Sequence, residues 1–203
     1  MTVKGDAGDA GHPAPRRTQA SRREATRTAL LEAARELFAT KGFAGAGREE
    51  IVQRAGVTRG AMYHHFTSKE DLFRAVYEAT EMEVMTHVAT AAMVTTDPRE
   101  QLRLGALAWL DFAADPAVAR ICLLDAPAVL DPDLRRELSE RYGVGLVREV
   151  LQACMDAGVI RQRPVDVLAR VLLAALLEAA TLVGQGADRA DVAIVVEDML
   201  DAL

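Results

Sequence analysis

Cysteine, aromatic residues and long apolar runs are all scarce in this chain. Its 203 residues include two cysteines and one tryptophan, and aromatics make up 4% of them. Cys122 and Cys154 lie inside apolar helical patterns, which predicts buried free thiols rather than a disulfide framework. The longest apolar run, residues 171–177, is too short to span a bilayer, so no membrane partner is expected. No charged-then-apolar leader opens the chain, and we expect a cytoplasmic protein.

Residues that carry catalysis are equally few. The histidines are His12, His64, His65 and His87, and the sequence contains no glycine-rich phosphate loop or nucleotide-binding motif. Glu83 and His87 lie one helical turn apart and could begin a metal site. A third ligand is missing, however, so a solvated pair is the simpler interpretation. We therefore expect no catalytic residue, no metal and no cofactor.

Charge is unevenly distributed along the chain, whose net charge is −6. Residues 1–68 contain 11 Lys/Arg and 7 Asp/Glu, a net charge of +4. Residues 69–203 contain 13 Lys/Arg and 23 Asp/Glu, a net charge of −10. A basic first third on an acidic body is typical of a protein that offers one end to a polyanion.

Apolar residues recur at three- and four-residue spacing, without sustained alternation, so the chain is predicted to be all-α. The most informative stretch is residues 47–66, which we predict as two short helices joined by a tight turn. Gly56 can take the left-handed conformation that ends the first helix. Thr58 can cap the second helix, whose Met62 and Phe66 point inward. This arrangement is typical of a DNA-binding helix-turn-helix.

A disordered arm and a first helix are predicted before this motif. Residues 1–21 are rich in Gly, Ala, Asp and Pro, which favours disorder. The first helix is predicted over residues 26–39, with Thr26 as its cap and Gly42 as its stop. Arginines at the end of the arm could reach a phosphate backbone or a minor groove, or could simply be solvated. These arginines are Arg16, Arg17, Arg22 and Arg23.

The helix after the motif begins at a capping box, formed either by Thr67 with Glu70 or by Ser68 with Asp71. It is predicted to run to about residue 92. Further helices are predicted over residues 97–114, 115–127, 131–157, 164–183 and 187–203. Gly143 and Gly145 should weaken the third of these or allow close packing.

The last two predicted helices carry wide apolar stripes. Such stripes exceed what a small monomer should expose, so we predict a homodimer held by a four-helix bundle. The stripe residues are Val165, Leu168, Val171, Leu172, Ala175, Ala179 and Leu182, with Ile194, Val195, Met199 and Leu200 on the last helix.

A set of residues over about 23–83 carries a more specific signal. It comprises Thr26-Arg27, Leu30-Leu31, Ala33-Ala34, Leu37-Phe38, Gly42-Phe43, Ile51, Arg54-Ala55-Gly56-Val57-Thr58, Gly60, Tyr63-His64-His65-Phe66, Lys69 and Leu72-Phe73. In this combination the chain resembles the TetR/AcrR family of bacterial transcriptional regulators. The resemblance implies an N-terminal three-helix DNA-binding domain over residues 22–69 and a larger helical ligand-binding and dimerisation domain over residues 70–203. It also implies a dimer built on the last two long helices, and repression of a palindromic operator that a bound ligand releases.

The resemblance also implies which residues contact double-stranded DNA. The guanidinium of Arg59, near the start of the second motif helix, can pair with both acceptors of a guanine. The chain departs from the family at residues 46–48, where Ala-Gly-Arg replaces the usual hydroxyl residues. Arg48 either replaces that phosphate contact or faces solvent. The expected DNA-contacting residues are Arg23, Arg27, Arg48, Thr58, Arg59, Gly60, Tyr63, His64, His65 and Lys69.

Three of these residues have alternative interpretations. Tyr63 offers a hydroxyl to a phosphate, or is a core aromatic. His64 and His65 are about 100° apart around a helix, so they cannot share a metal in simple geometry. We expect one of them to face DNA and the other to pack.

The ligand cavity implied by the resemblance should lie among helices four to eight. The expected lining residues are Met82, Met85, Trp109, Phe112, Cys122, Asp125, Tyr142 and Glu178. The acids, together with Asp111, either point to solvent or cap a helix, and Glu178 could instead pair across the dimer. Alternatively, Asp125 or Glu178 meets a cationic group on a drug-sized, mainly apolar effector. A helical small-molecule-binding protein or enzyme with an incidental helix-turn-helix is the alternative function, and a structural adaptor is a third.

Overall fold

The computed structural model describes residues 19–203, and every regular element within that range is helical. The predicted all-α class is confirmed. Most of the predicted arm, including Arg16, Arg17 and His12, lies outside the described residues.

Helix α1 spans Gln19–Gly45, and its helical geometry is interrupted at Gly42. The predicted start at Thr26 is wrong, as is the end of the predicted arm at residue 21. The segment before Thr26 is rich in Arg, Glu and Ala, which have high helix propensity. The Thr26 hydroxyl donates to the carbonyl of Arg22 at 3.0 Å within the helix, instead of capping its start. The predicted stop holds, since Gly42 takes a left-handed φ of 68°.

The predicted helix-turn-helix is present as α2, Arg48–Arg54, and α3, Arg59–His65. Gly56 lies between them with a φ of 64°. Thr58 caps α3, because its side-chain oxygen accepts a hydrogen bond from the Ala61 amide at 3.2 Å. Met62 and the following Phe66 are buried, which fixes the inward face of α3.

Helix α4, Lys69–Ala92, belongs to both halves of the molecule. Of the two predicted caps the second is found: Ser68 accepts from the Asp71 amide at 3.0 Å. At the start of α4, the ring of Phe73 packs edge-to-face on Phe38 and Phe43 of α1, with centroids 5.1 and 5.2 Å away. The later turns of α4 pack on α5 of the larger domain.

The larger domain begins with α5, Pro98–Ala113. Helix α6 follows as a continuous helical segment of three parts: Pro116–Val118, a π-helical stretch Ala119–Asp125, and Ala126–Val129. We predicted that this helix ends by residue 127. It continues because a widened π turn accommodates Pro127, which has no N–H to donate.

Helix α7 also contains a π-helical stretch, and consists of Pro132–Ser139, Glu140–Val144 and Gly145–Asp156. Helices α8, Val165–Gly184, and α9, Arg189–Asp201, complete the described chain. The α5 helix is central, with contacts to α4, α7, α8 and α9.

Of the two glycines for which weakening or close packing of α7 was predicted, Gly143 in the π turn packs closely. A Cβ atom at Gly143 would lie 3.1 Å from Leu173 Cδ2 of α8. Glycine therefore allows α7 and α8 to approach each other closely. A Cβ at Gly145 would meet no described atom within 4 Å, so close packing is not found there.

Helix α8 is long and apolar enough to cross a membrane by length and composition alone, and 33% of its apolar window is buried. Its outward face continues onto α9, where Ile194 and Val195 are exposed. Two predicted stripe residues, Leu172 and Leu200, instead pack in the core of the protomer. The exposed apolar residues of α8 are Val167, Val171, Leu177 and Leu182.

Candidate functional site

The outward face of α3 presents polar side chains near the C-terminal end of the basic segment, residues 1–68. The side chain of Arg59 is 69% exposed, and Tyr63 and His64 beside it are also exposed. The Arg59 guanidinium carbon lies 5.7 Å from the centre of the Tyr63 ring, and Nη1 donates to Glu49 at 3.1 Å. An exposed ion pair of this kind contributes little. The guanidinium is thus held in place on the surface yet can exchange Glu49 for another acceptor at little cost.

The second histidine lies on the edge of this face rather than on its front. His65 is half-buried, with its ring 5.6 Å from that of His64. Burial lowers the pKa of His65, and His64, Arg23 and Arg27 lower it further. The expectation that one ring faces outward and the other packs agrees with this arrangement. Arg23 and Arg27 of α1 therefore add positive charge beside α3.

Lys69, a predicted DNA contact, makes two contacts within the protein. Its Nζ donates to the carbonyl of Ala46 at 2.9 Å and lies 4.2 Å from the centre of the Phe43 ring. Burial lowers the pKa of Lys69, and the nearby Arg48 lowers it further. Arg48 is exposed, so these two cations mark the edge where α2 and α4 begin.

Two smaller predicted contacts lie at the start of α3. Thr58 is exposed, and while its oxygen caps α3, its hydroxyl hydrogen is available for donation. A Cβ at Gly60 would meet no described atom nearer than 3.9 Å, so nothing in the described protein requires glycine there. A close external backbone contact would require it.

A second candidate site is a cavity of about 190 Å³ in the larger domain. Helices α4, α5, α6, α7 and α8 all contribute to its wall. Trp109 of α5 is fixed there by a hydrogen bond from Nε1 to the carbonyl of Leu176, at 3.1 Å. The lining residues are Tyr77, Glu81, Met85, Val88, Ala92, Gln101, Leu102, Gly105, Ala106, Trp109, Cys122, Leu123, Pro127, Arg135, Ser139, Gly143, Leu146, Val147, Val150, Leu173, Leu176, Leu177 and Thr181.

Three of the eight predicted lining residues, Met85, Trp109 and Cys122, lie in this wall, and the other five do not. Met82 is 54% exposed on the outer face of α4. Phe112 packs against His87, with ring centroids 4.8 Å apart. Tyr142 lies beside Arg141 in the π turn of α7, where the helix phase differs from the regular one.

The two acids proposed to meet a cationic effector are also elsewhere. Glu178 is exposed on the outer face of α8. Asp125 faces the DNA-binding domain: one carboxylate oxygen accepts from the Phe43 amide at 2.6 Å and from Arg120 at 3.3 Å. We call this contact the Asp125 bridge. Asp125 lies on the same π-helical stretch of α6 as Cys122, which lines the cavity. The Asp125 bridge therefore connects the cavity wall to the end of α1.

Comparison with known proteins identifies both halves of the chain. A family model described as bacterial regulatory proteins, tetR family, matches residues 30–76. A second, described as tetracyclin repressor-like C-terminal domain, matches residues 99–203. This chain belongs to the TetR family. The resemblance recognised in its N-terminal motif is therefore confirmed.

Individual TetR-family relatives support the assignment. The chain is 32% identical over 135 residues to the HTH-type transcriptional activator FasR of Mycolicibacterium smegmatis, covering 66% of this chain and 58% of that protein. It is 30% identical over 145 residues to a probable acrEF/envCD operon repressor of Escherichia coli, covering 66% and 64%. A crystal structure of a TetR-family regulator from Pectobacterium atrosepticum is similar at 31% identity and a TM-score of 0.76, covering 92% and 95%. The chain thus spans less than two thirds of these two curated relatives.

Sequence reasoning missed the polar corner of the TetR-family cavity, formed by Tyr77, Glu81, Cys122 and Arg135. Burial raises the pKa of Glu81, while hydrogen bonds with Tyr77 and Cys122 oppose that rise. Burial also raises the pKa values of Tyr77 and Cys122. The available signal was the spacing of Tyr77 and Glu81, four residues apart on the buried face of α4.

Glu83 and His87, which could have begun a metal site, have other partners among the described residues. Glu83 pairs with Arg35 at 2.7 Å, and His87 contacts Phe112. Within residues 19–203, no three His, Cys, Asp or Glu side chains gather in a way that could hold a metal.

Proposed function

We propose that this TetR-family protein is a homodimeric, ligand-responsive transcriptional repressor that binds a palindromic DNA operator in the cytoplasm. The outward face of α3 is the observation that carries this proposal. Met62 fixes the buried side of α3, which leaves Arg59, Tyr63 and His64 directed away from the protein. A short capped helix presenting an arginine at its first turn suits base recognition in the major groove.

Repression relieved by an effector is the regulatory mode we propose. The relatives named above include an activator and a probable repressor, so the sign of regulation needs its own test. Effector binding in the cavity would tilt α4, which carries the DNA-binding domain on its N-terminal end. The two recognition helices of the dimer would then no longer match successive major grooves. We call the state with mismatched recognition helices the released state. If the effector binds the released state 100-fold more tightly than the DNA-bound state, it shifts the equilibrium between them by about 2.7 kcal/mol.

Selection of bound duplexes from a random DNA pool tests the DNA-binding part of this proposal. We expect a rough palindrome whose half-sites are separated by about 34–36 Å, or somewhat more. Arg59→Ala should weaken binding by about 1–3 kcal/mol and relax base preference at one position of each half-site. Arg163→Ala is the matched control, because Arg163 is exposed in the loop before α8, far along the chain from α3.

The outcomes separate the parts of the proposal. If Arg59→Ala leaves both affinity and base preference unchanged, the recognition face has been assigned to the wrong residues. If selection recovers a single half-site, the proposed dimeric arrangement on DNA is wrong. Reporter expression with and without the regulator gives the sign: higher expression in its absence supports repression, and lower expression supports activation.

A further inference from the structure

Arg135 is a cation in the cavity wall whose charge is not balanced by a bonded partner. Its Nε is buried and has no hydrogen-bond partner, and Arg135 forms no ion pair with any described residue. Arg189 also has a buried unpartnered Nε, but its guanidinium pairs with Asp111 at 2.7 Å. A buried donor left without an acceptor is costly. An acceptor supplied by a ligand would remove that cost.

The acids near Arg135 along α7 have other partners, and Asp131 caps the helix by accepting from the amides of Asp133 and Leu134. Asp133 pairs with Arg136 at 2.9 Å, and Glu137 with Arg141 at 2.6 Å. Glu140 pairs with an arginine of α8. None of these carboxylates lies within ion-pair distance of Arg135.

The remaining polar groups of the cavity do not neutralise Arg135 either. Glu81 forms hydrogen bonds with Tyr77 and Cys122, and burial raises its pKa, which favours the uncharged carboxyl. An uncharged carboxyl and a phenol can each donate a hydrogen bond. The corner thus combines an arginine that has no ion-pair partner with a carboxyl whose charged form is disfavoured by burial, and this combination suits an anion better than a cation.

The volume and the rest of the wall limit the size and character of the ligand. The cavity of about 190 Å³ is smaller than the roughly 300–1,000 Å³ of sites for drug-sized ligands. It is somewhat larger than an apolar cavity of about 150 Å³ that binds benzene. Apart from the polar corner, its wall is mainly apolar, with residues such as Met85, Trp109 and Leu176. The space suits one ring or a short chain of similar volume.

We infer that the effector is a small organic acid, with an apolar body of about one ring and a carboxylate held by Arg135. The carboxylate would accept from the Arg135 guanidinium, next to Glu81 and Tyr77. The apolar body would lie against Trp109. This inference replaces the alternative of a drug-sized effector with a cationic group, and it rests on the proposed function in treating the cavity as the effector site.

Titrations of the full-length protein with three matched probes test the inference. The probes are phenylacetate, its neutral analogue phenylacetamide and the cation phenethylamine, each followed by fluorescence of Trp109, the chain's one tryptophan. Phenylacetate should bind at least about tenfold more tightly than the amide. Arg135→Gln should weaken phenylacetate binding by about 10- to 100-fold and change amide binding little.

Three further variants make the result interpretable. Arg136→Gln is the control, because Arg136 is the next residue but pairs with Asp133 on the surface. It should leave all three affinities unchanged. Arg135→Lys, which keeps the charge but not the planar donors, should retain a weakened preference for the acid. Glu81→Gln, which keeps a neutral donor, should retain the preference for phenylacetate.

Each contrary result overturns the inference. Equal affinity for acid and amide, tightest binding of phenethylamine, absence of binding by all three probes, or an unchanged preference in both Arg135 variants would each do so. Operator release is measured separately. Binding of phenylacetate without release would leave the ligand class intact and refute the proposed switch, whereas release by other compounds alone would support the switch and refute the ligand class.

Discussion

At the scale of the residue, Gly42 is required by its backbone conformation. Its φ is 68°, and a Cβ there would lie 2.0 Å from a guanidinium nitrogen of Arg120. The ψ of Gly42 is 171°, and this combination of φ and ψ is occupied almost only by glycine, so Gly42→Ala should lower the free energy of unfolding by about 1–3 kcal/mol. The contact with Arg120 adds little to this cost, because the far end of its side chain is flexible and partly exposed. Urea denaturation measures the change.

Gly145→Ala is the contrasting control. Gly145 has helical angles, and a Cβ there would meet no described atom within 4 Å. Alanine should therefore raise the free energy of unfolding by about 0.5–1 kcal/mol. Equal effects of the two substitutions would show that the backbone at residue 42 imposes no special requirement.

Glu81 should make stability depend on pH in a defined direction. Burial raises the folded-state pKa of Glu81 above the ordinary value of 4.5, so folding favours its protonated form. Stability should fall as pH rises from about 4.5 through the higher folded-state pKa, because the unfolded chain loses its proton first. Glu81→Gln removes this proton linkage. The variant should gain stability relative to the wild type at pH 8, and the gain should shrink near pH 4.

Urea denaturation at several pH values measures this difference. Glu83→Gln is the control, because Glu83 is exposed on the same helix and pairs with Arg35. A pH-independent difference between Glu81→Gln and the wild type would mean that the Glu81 carboxyl titrates alike in the folded and unfolded states.

Single residues were predictable from the sequence where the cause is local. The cap at Thr58 and the left-handed turn at Gly56 depend on residues within one turn of the chain. Asp125 was misplaced because its partner, the Phe43 amide, lies 82 residues away in the sequence. Arg135 could not be identified from the sequence. Its distinguishing feature is a buried Nε without a hydrogen-bond acceptor, and the lack of an acceptor is visible only in the packed structure.

At the scale of the element, α6 connects the cavity with the DNA-binding domain. Its π-helical stretch supplies Cys122 to the cavity wall and Asp125 to the Phe43 amide. Asp125→Ala removes this acceptor. The amide hydrogen of Phe43 should then exchange about 10- to 100-fold faster, as expected from loss of a hydrogen bond to a charged group. Hydrogen exchange followed by NMR measures it.

Asp111→Ala serves as the control for this experiment, because Asp111 pairs with Arg189 elsewhere on the surface. It should leave exchange at Phe43 unchanged. Equal exchange at Phe43 in the wild type and Asp125→Ala would mean that the Asp125 bridge does not protect this amide in solution.

The order and boundaries of the helices were largely predictable from the sequence. The direction in which side chains point after a π turn was not. Asp-Pro pairs and glycines correctly placed the boundaries of α5 and α7 to within a residue or two. The π turns in α6 and α7 were not anticipated, and each rotates the residues that follow relative to a regular helix. Expectations for side chains near those turns, such as Tyr142, consequently failed. Met82 failed for a different reason, since α4 is regular and Met82 lies on its outer face.

At the scale of the whole molecule, the exposed apolar surface lies far along the chain from the basic end. Val171 on α8 and Ile194 on α9 are 63% and 58% exposed, and each has exposed apolar neighbours on the same helix. Burying such a surface between two copies stabilises a two-fold symmetric dimer. The dimer would hold two α3 faces at a fixed separation, and this is how one basic domain per chain can recognise a palindrome.

The last prediction tests this dimer by placing a charge at its centre. Val171→Asp would bury a carboxylate without a partner in the interface, which is costly, so the variant should be a monomer. Light scattering at micromolar concentration should give twice the chain mass of 21.9 kDa for the wild type and a single chain mass for the variant. Operator affinity should fall because each half-site must then be bound independently.

Val94→Asp is the matched control for this change. Val94 is 75% exposed in the loop after α4, outside the α8–α9 surface. This variant should remain a dimer, which would show that adding an aspartate to an exposed valine is not enough to dissociate the protein. A wild-type protein that is monomeric at micromolar concentration would refute the dimer directly. A Val171→Asp variant that remains dimeric would place the interface on a surface other than α8.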